Sequence, residues 1–254
     1  MSTNNGRVAV ITGATGGIGF EIARRFGKEG YTLVLNGLDA EAGAEKLAAL
    51  AKEGYTAEFH AFDVTNEDQV NASIKSIGDK HSKIDVVVNN AGGLGGRSRF
   101  EVMTTEFYRS VMALNLDSTF FVSRAAIPYL KKGTNANIIN FTSNAGWNAG
   151  GPGAGIYGTS KAGVHAITRA LAKDLAPDGI RVNAVSPGTI DTPFHAQIKS
   201  TKPEVFASWA NNIMLGRLGQ PEDVAGVVAF LAGNDASFMT AETVQVGGGQ
   251  ALGI

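Results

Sequence analysis

Seven short stretches of the chain are rich in apolar and β-branched residues, and polar or glycine-containing segments separate them. Runs of this length and composition predict β-strands. Three consecutive valines at 86–88 are typical of a strand that is buried on both faces of a parallel sheet. The predicted strands are residues 7–12, 32–36, 57–62, 84–89, 137–142, 180–186 and 242–246.

Between these strands, apolar residues recur at helical spacing, which predicts helices at 18–29, 40–53, 66–80, 104–131, 155–176 and 221–232. The alternation of strands and helices predicts βαβ units, and therefore an α/β fold in which helices cover both faces of a doubly wound parallel sheet of about seven strands. No linker or shift in composition divides the chain, so residues 1–254 are expected to form a single domain. Residues 189–215 interrupt the alternation and carry Pro193 and Pro203, which favours a lid over a site.

The composition excludes several classes of protein. Hydrophobic residues make up 44% of the 254 positions, and the formal net charge is −1, so nothing in the charge favours a nucleic acid or an anionic membrane as partner. The absence of cysteine excludes disulfides and thiolate metal sites, and no metal site is predicted. Neither a secretory signal nor an apolar stretch long enough for a membrane span is found. We therefore expect a cytoplasmic protein.

A glycine-rich loop, TGATGGIG at 12–19, follows the first predicted strand and leads into a helix. Glycine allows a tight turn with exposed backbone N–H groups, and the positive end of the helix dipole adds to them, so a pyrophosphate is the expected ligand. The spacing of Gly13, Gly17 and Gly19 matches neither the common dinucleotide fingerprint nor the P-loop. A tight turn without a ligand is the alternative, but its place after strand one favours a dinucleotide site.

A tyrosine and a lysine stand four residues apart in IYGTSKAG at 156–163, which places them about one helical turn apart on one face. A surface contact without function is one explanation for Tyr157 and Lys161. The other is that the lysine ammonium favours the phenolate and makes the phenol a usable base. Ser143, at the end of the fifth strand, could hydrogen-bond a substrate oxygen as charge develops on it.

Taken together, the ordered motifs resemble the short-chain dehydrogenase/reductase family. They are the glycine loop, NNAG at 89–92, Ser143, YGTSK at 157–161, PGTIDT at 187–192 and the segment 216–233, so that the resemblance covers essentially the whole chain. It implies a Rossmann-type domain that binds a dinucleotide and interconverts a secondary alcohol and a ketone. Tyr157 would be the general base or acid, Lys161 would lower its pKa and hold the nicotinamide ribose, Ser143 would bind the substrate oxygen, and Asn115 would hold a water in a proton route.

The resemblance also implies a set of cofactor-binding residues: Gly13, Thr15, Gly17, Ile18, Gly19, Leu38, Asp63, Val64, Asn90, Ala91, Gly92, Tyr157, Lys161, Pro187, Gly188, Ile190 and Thr192. In this family the end of strand two distinguishes NAD from NADP. Gly37 stands where a carboxylate is common, and Leu38 where an arginine often follows. Because no cation is available for a 2′-phosphate and Asp39 would repel one, NAD is favoured over NADP.

The substrate is expected to be a small molecule. Direct substrate contacts are expected from Ser143, Asn144, Asn148 and Tyr157, and the pocket wall is predicted to include Trp147, Thr189, Asp191 and His195. Such a polar set favours a sugar, a polyol or a deoxy-sugar acid over a long acyl chain, unless several of these side chains point into water.

Two alternatives remain. One is an NADPH-dependent 3-oxoacyl thioester (acyl-carrier) reductase, with Lys131, Lys132 and Lys173 as possible docking residues for an acidic carrier. The other is a dinucleotide-binding sensor without catalysis, although such proteins typically lose the tyrosine or the lysine. The resemblance further implies a homotetramer that pairs the helices around 104–131 and 155–176 and makes a second contact through the last strand.

Overall fold

Seven parallel strands form one sheet in the computed structural model, which describes residues 6–250. The strand order is β3-β2-β1-β4-β5-β6-β7. The strands are β1 Val8–Ile11, β2 Thr32–Gly37, β3 Ala57–Ala61, β4 Val86–Asn89, β5 Asn137–Phe141, β6 Arg181–Pro187 and β7 Thr243–Val246. The predicted doubly wound α/β fold is confirmed, and each strand lies within a residue or two of its predicted position.

Ten α-helices are found in the described part of the chain. They are α1 Gly17–Lys28, α2 Ala40–Lys52, α3 Glu67–His81, α4 Thr105–Met112, α5 Ser118–Leu130, α6 Ala145–Asn148, α7 Gly155–Leu175, α8 Ala196–Thr201, α9 Pro203–Ser208 and α10 Pro221–Ala232. The segment predicted as a lid, 189–215, contains α8 and α9 between two short 3-10 turns. No helix of residues 6–250 combines the length and apolar character that crossing a membrane requires.

Alternation along the strands divides the core into two layers. In β1, Ala9 and Ile11 contact the layer that includes α1, α2 and α10. Val8 and Val10 face the opposite layer, which includes α3, α5 and α7. Successive side chains of a strand point to opposite faces, so a fully buried strand requires apolar residues at every position. This explains the continuous apolar strands of the sequence.

The long helix predicted at 104–131 contains a π-helical turn. A π-helical turn, Ala113–Asp117, separates α4 from α5. Fully buried Asn115 lies in this turn, and its Nδ2 donates to the carbonyls of Val111 at 2.9 Å and Gly93 at 2.8 Å. Apolar periodicity continues through a single π-turn, so the sequence pattern could not indicate where the turn lies.

The strand order reverses between β1 and β4. β1 is flanked by β2 on one side and by β4 on the other, and the chain crosses from one half of the sheet to the other at this point. A crevice forms beyond the carboxyl ends of the strands at such a reversal, and ligands of open α/β sheets bind there. The glycine loop after β1 and the NNAG segment after β4 meet at this crevice.

Candidate active site

A cavity of about 900 Å³ lies at the carboxyl edge of the sheet. It brings together residues that are far apart in the sequence but were predicted to share a site. Those that line it are Gly13, Thr15, Gly17, Ile18, Asn90, Gly92, Ser143, Asn144, Asn148, Tyr157, Lys161, Pro187, Gly188, Ile190 and Thr192. Thr189 and His195, which were expected from the lid side, also line it.

The glycine loop is shaped as a cradle for a phosphate. Gly13 and Gly17 adopt positive φ angles of 63° and 53°, which favours glycine. A Cβ on Gly19 would lie 2.4 Å from the carbonyl oxygen of Gly13, so Gly19 lets the helix approach the loop. Asn90 fixes the loop by donating from Nδ2 to the carbonyls of Thr12 and Gly13 at 3.0 Å each.

The N-terminus of α1 faces the cavity through Gly17 and Ile18. Its N-cap residue is Gly16, which has no side chain that could occupy the N–H groups of the first turn. On the opposite wall, the Thr192 side chain lies 3.5 Å from where a Cβ on Gly17 would stand. These features fit the pyrophosphate of a dinucleotide.

Tyr157 lies in the first turn of α7, beside Ser143 at the end of β5. Burial raises the pKa of the Tyr157 phenol, and a hydrogen bond with the Ser143 side chain lowers it by less. The lowering of this pKa by Lys161 stays a prediction. Lys161 Nζ lies 5.9 Å from the centre of the tyrosine ring.

Lys161 is a buried lysine whose Nζ donates to the carbonyl of Phe141 at 2.8 Å. Burial lowers its pKa to about 8, because desolvation disfavours the ammonium. A Cβ on Gly92 would lie 3.0 Å from this Nζ and 2.8 Å from Asn115 Oδ1. Gly92 therefore leaves the space in which the lysine and the asparagine face one another.

Asn115 lies behind the cavity wall and does not line it. Its Oδ1 accepts from the N–H of Gly93 at 3.0 Å, and its Nδ2 donates to the carbonyl of the same residue. The side chain therefore holds the NNAG segment in place next to Lys161. The π-turn points Asn115 at this segment instead of along a regular helix face.

Packing at the end of β2 explains why residue 37 is a glycine and not a carboxylate. A Cβ on Gly37 would lie 2.5 Å from Cγ2 of Thr15, so the threonine of the glycine loop occupies the space of a side chain at 37. Leu38 is 73% exposed. Asp39 caps α2 by accepting from the N–H groups of Glu41 and Ala42.

Other predicted cofactor residues lie outside the cavity. Asp63 follows β3, and its Oδ1 accepts from the N–H and the hydroxyl of Thr65. Val64 is buried in the core beside it. Gly19, Leu38 and Ala91 also do not line the cavity, which is bounded by the glycine loop and by the segments after β4, β5 and β6 but not by the segment beyond β2 and β3.

Two pocket predictions are wrong. The Trp147 indole turns away from the cavity: its Nε1 donates to Ser186 Oγ at 3.2 Å, and its ring lies 4.4 Å from that of His165. Asp191 pairs with Lys199 at 2.8 Å and does not line the cavity. Ser186 lies 39 positions from Trp147, whereas Lys199 lies only eight positions beyond Asp191, within the same predicted lid segment.

His195 takes part in an aromatic cluster of the lid. Its ring lies 4.9 Å from Phe194, 5.7 Å from Phe206 and 5.3 Å from Trp209. Burial lowers the pKa of His195, while nearby Asp191 raises it by less. A neutral imidazole is therefore favoured at this wall of the cavity.

Sequence reasoning missed several lining residues, namely Gly16, Phe141, Thr142, Ala145, Gly150, Gly151, Pro193, Phe194 and Gln250. Most are neighbours of predicted residues. Gln250 is different, because it comes from the end of the described chain and contacts Thr189, 61 positions away. Its only signal in the sequence was the glycine cluster that precedes it at 247–249.

The fold and the site define a dinucleotide-dependent oxidoreductase with a tyrosine–lysine–serine centre. A family model described as enoyl-(acyl carrier protein) reductase matches residues 13–251. Among curated relatives, the chain is 36% identical over 244 residues to the 3-oxoacyl-[acyl-carrier-protein] reductase FabG of Thermotoga maritima, covering 96% of this chain and 97% of the relative. It is 41% identical over 256 residues to diacetyl reductase [(S)-acetoin forming] of Staphylococcus aureus, covering 97% and 98%.

A solved structure is also similar to this chain. The aldohexose dehydrogenase (AldT) of Thermoplasma acidophilum, in ligand-free form, superposes with a TM-score of 0.87 at 33% identity, covering 98% of this chain and 95% of the other. The chain belongs to the short-chain dehydrogenase/reductase family. It is accordingly an NAD(P)-dependent oxidoreductase that acts on a CH–OH or keto group of a small molecule.

Proposed function

We propose that the protein interconverts a secondary alcohol and a ketone on a small polyhydroxylated substrate (a sugar, polyol or deoxy-sugar acid) with NAD as cofactor. The observation that carries this proposal is the polar wall beside Tyr157. Asn144, Asn148, Thr189 and Gln250 line the cavity together with Ser143. Sites built to hydrogen-bond hydroxyl groups discriminate strongly against substrates that lack them.

The proposed roles combine the family resemblance with the contacts described above. Tyr157 Oη takes the proton from the alcohol during oxidation and returns it to the ketone during reduction, while Ser143 Oγ hydrogen-bonds the same substrate oxygen. The nicotinamide cofactor accepts or supplies the hydride when bound. Lys161 holds the nicotinamide ribose, and Asn115 keeps the segment 92–93 in place beside the lysine.

The nucleotide would be held by the predicted residues along the crevice. The loop 13–19 would bind the pyrophosphate, Asp63 and Val64 with Asn90, Ala91 and Gly92 would contact the adenine side, and Pro187 to Thr192 would contact the nicotinamide. NAD is preferred because the β2 end offers no cation to a 2′-phosphate: Leu38 is exposed there, and Asp39 adds a negative charge to that segment.

Charge supports sugar acids as part of the proposed substrate class. Among residues 6–250, the side chains that line the cavity include no aspartate or glutamate. An anionic substrate would therefore meet no like charge from the wall, and buried Lys161 contributes a cation when protonated. Neutral polyols would bind through hydrogen bonds alone, from the asparagine and glutamine amides and from the hydroxyls of Ser143, Tyr157 and Thr189.

The acyl-carrier alternative is supported by the Thermotoga relative but not by the three lysines. The C-terminus of α5 adjoins the start of β4, where Ile84 N donates to Tyr129 O. Lys131 and Lys132 therefore lie at the amino edge of the sheet, opposite the cavity, and Lys131 pairs with Asp178. Lys173 lies about 24 Å along α7 from Tyr157 at 1.5 Å per residue.

Nicotinamide absorbance on a substrate panel tests the proposal. The panel contains sugars, polyols and sugar acids, with acetoin, diacetyl and an acetoacetyl thioester beside them, and each is measured with NAD(H) and NADP(H). Turnover of a hydroxylated compound with NAD is the expected result. Faster reduction of the thioester with NADPH would replace the proposal by the acyl-carrier reductase, and preference for diacetyl or acetoin would indicate the activity named for the staphylococcal relative.

Tyr157→Phe is the control for the assigned chemistry. The phenylalanine keeps the ring but removes the proton-transferring hydroxyl, so we expect turnover to fall by at least about a thousandfold while NADH still binds. Fluorescence of bound NADH measures the second property. A variant that retained turnover would contradict the role of Tyr157. A wild type that bound NADH but turned over nothing would leave the non-catalytic sensor as the better description.

The cytoplasmic location and the tetrameric state remain predictions.

A further inference from the structure

The end of the described chain reaches into the catalytic cavity through Gln250. Its Oε1 accepts from the backbone N–H of Thr189 at 2.8 Å, and its Nε2 donates to the hydroxyl of the same threonine at 2.9 Å. The same Oε1 lies 3.4 Å from Nδ2 of Asn144. One amide therefore joins the segment after β5 to the segment after β6, the two walls on either side of the substrate.

Hydrogen-bonding chemistry fixes the orientation of both amides. A backbone N–H can only donate, so Gln250 must turn its oxygen toward Thr189. Asn144 must then present its NH₂ group to that oxygen, because two amide oxygens would repel one another. Asn144 is itself held on the β6 side, since its backbone N–H donates to the carbonyl of Pro187 at 3.1 Å.

The tail that carries Gln250 is clamped by the end of the lid. The N–H of Leu215 donates to the carbonyl of Gly248 at 3.1 Å. Gly248 and Gly249 have φ angles of 58° and 86°, and a Cβ on Gly249 would lie 2.6 Å from the sulfur of Met214. Only glycine fits this approach, so residues 213–215 and the tail form one connected unit.

Packing within this unit also requires a small residue at position 247. A Cβ on Gly247 would lie 3.1 Å from Nδ2 of Asn144 and 3.4 Å from the backbone of Gly188. A larger side chain there would press on the asparagine that faces Gln250. The glycine leaves room for the Asn144–Gln250 contact. Each glycine of the segment GGGQ at 247–250 therefore serves the placement of Gln250.

We infer that Gln250 is a positioning residue for catalysis: it holds Thr189 and Asn144 in a fixed relation across the substrate pocket and couples this wall to the lid end at 213–215. The inference deepens the proposed function and rests on it for its kinetic readout. Through Thr189, Gln250 also fixes the segment that leads to Ile190 and Thr192. A substrate recognised by hydroxyl contacts needs these donors and acceptors in register with Tyr157 and Ser143.

The test compares three variants of the full chain. Gln250→Leu keeps the volume but removes the hydrogen bonds. Gln250→Glu keeps an acceptor for the Thr189 N–H and for Asn144. Gln245→Leu makes the same change at an exposed glutamine of β7 and serves as the matched control. Two readouts are taken: kcat and KM for a neutral panel compound that the wild type turns over, because the carboxylate of Gln250→Glu would repel an anionic one, and hydrogen exchange of peptides that contain the Thr189 amide.

We expect kcat/KM to fall about tenfold in Gln250→Leu, the size of one lost hydrogen bond to a fixed partner. It should return to within about threefold of wild type in Gln250→Glu and stay unchanged in Gln245→Leu. Exchange at Thr189 should accelerate about tenfold in the leucine variant alone. The glutamate rescue distinguishes positioning by hydrogen bonds from filling of space, which leucine already provides.

Unchanged kcat/KM or unchanged exchange in Gln250→Leu would overturn the inference. So would equal impairment of the leucine and glutamate variants, or equal impairment in Gln245→Leu. A wild type that turned over no panel compound would refute the proposed function instead. Exchange at Thr189 would still decide whether Gln250 holds that wall.

Discussion

Lys161 is a buried lysine with a proposed role in catalysis, and the cost of burying its charge can be measured as a change in stability. Burial lowers its pKa from 10.5 to about 8. Between these two values the unfolded chain binds a proton that the folded protein does not, so the free energy of unfolding rises with pH across this window. Below pH 8 both states are protonated, and the folded state bears a penalty of about 3 kcal/mol at 1.36 kcal/mol per unit.

Lys161→Met should therefore have a higher free energy of unfolding than wild type at pH 7. This free energy should not rise between pH 8 and 10.5 as it does in wild type. Urea unfolding followed by circular dichroism at pH 7, 8, 9 and 10 measures both. Methionine has a similar length and keeps the packing, whereas activity should be lost. Parallel pH curves for the two proteins would show that the lysine is not the group responsible.

Leu38 offers a residue-scale test of the cofactor assignment. It is exposed at the end of β2, so an arginine can be placed there without repacking the core. A guanidinium at this position would accommodate the 2′-phosphate of NADP. We expect Leu38→Arg to bind NADP about tenfold more tightly, with little change for NAD.

Fluorescence titration with NADH and NADPH measures the change. Ala51→Arg, which adds the same charge at an exposed position near the far end of α2, is the control for a general electrostatic effect. Equal tightening in both arginine variants would mean that the 2′-phosphate does not lie near residue 38.

At the scale of elements, the π-turn between α4 and α5 owes its shape to Asn115. Three hydrogen bonds of this buried side chain, two to Gly93 and one to Val111, link the turn to the loop after β4. Asn115→Ala would leave the Gly93 N–H and carbonyl without these partners in a partly buried place. We expect the free energy of unfolding to fall by about 2–3 kcal/mol.

Ser118→Ala is the matched comparison, since the Ser118 hydroxyl makes a single hydrogen bond to the carbonyl of Leu114 in the same region. We expect this change to cost at most about 1 kcal/mol. Urea denaturation of both variants at one pH measures the difference. If the two losses were equal, Asn115 would not be what holds the turn.

Periodicity predicted the strands and most helices because burial on two faces leaves a strong local signal. It could not predict the π-turn, because one extra residue per turn hardly changes the apolar pattern. The residues of the proposed centre could be found because motif spacing places Tyr157 and Lys161 on one helix face. Trp147 and Gln250 could not be placed, since their partners, Ser186 and Thr189, lie 39 and 61 positions away.

At the scale of the whole molecule, the cavity depends on segments that follow five different strands. The loop after β1, the NNAG segment after β4, Ser143 after β5 and the lid with the tail after β6 and β7 all meet at the carboxyl edge of the sheet. Parallel strands bring these ends to one edge whatever their order in the sequence. Chemistry can therefore change through loops and lid while the sheet stays the same, as the different names of the three relatives illustrate.

Assembly is the remaining property of the whole molecule, and Phe238 provides its test. This phenylalanine is fully exposed between α10 and β7, on the side where the second contact of a tetramer is expected. A tetramer with two-fold symmetric contacts needs two different interfaces, and loss of one leaves dimers. We expect light scattering to give four times the chain mass for wild type and twice the chain mass for Phe238→Lys. Val205→Lys, an exposed apolar residue of the lid, should remain tetrameric; a monomeric wild type, or an unaffected Phe238→Lys, would contradict this arrangement.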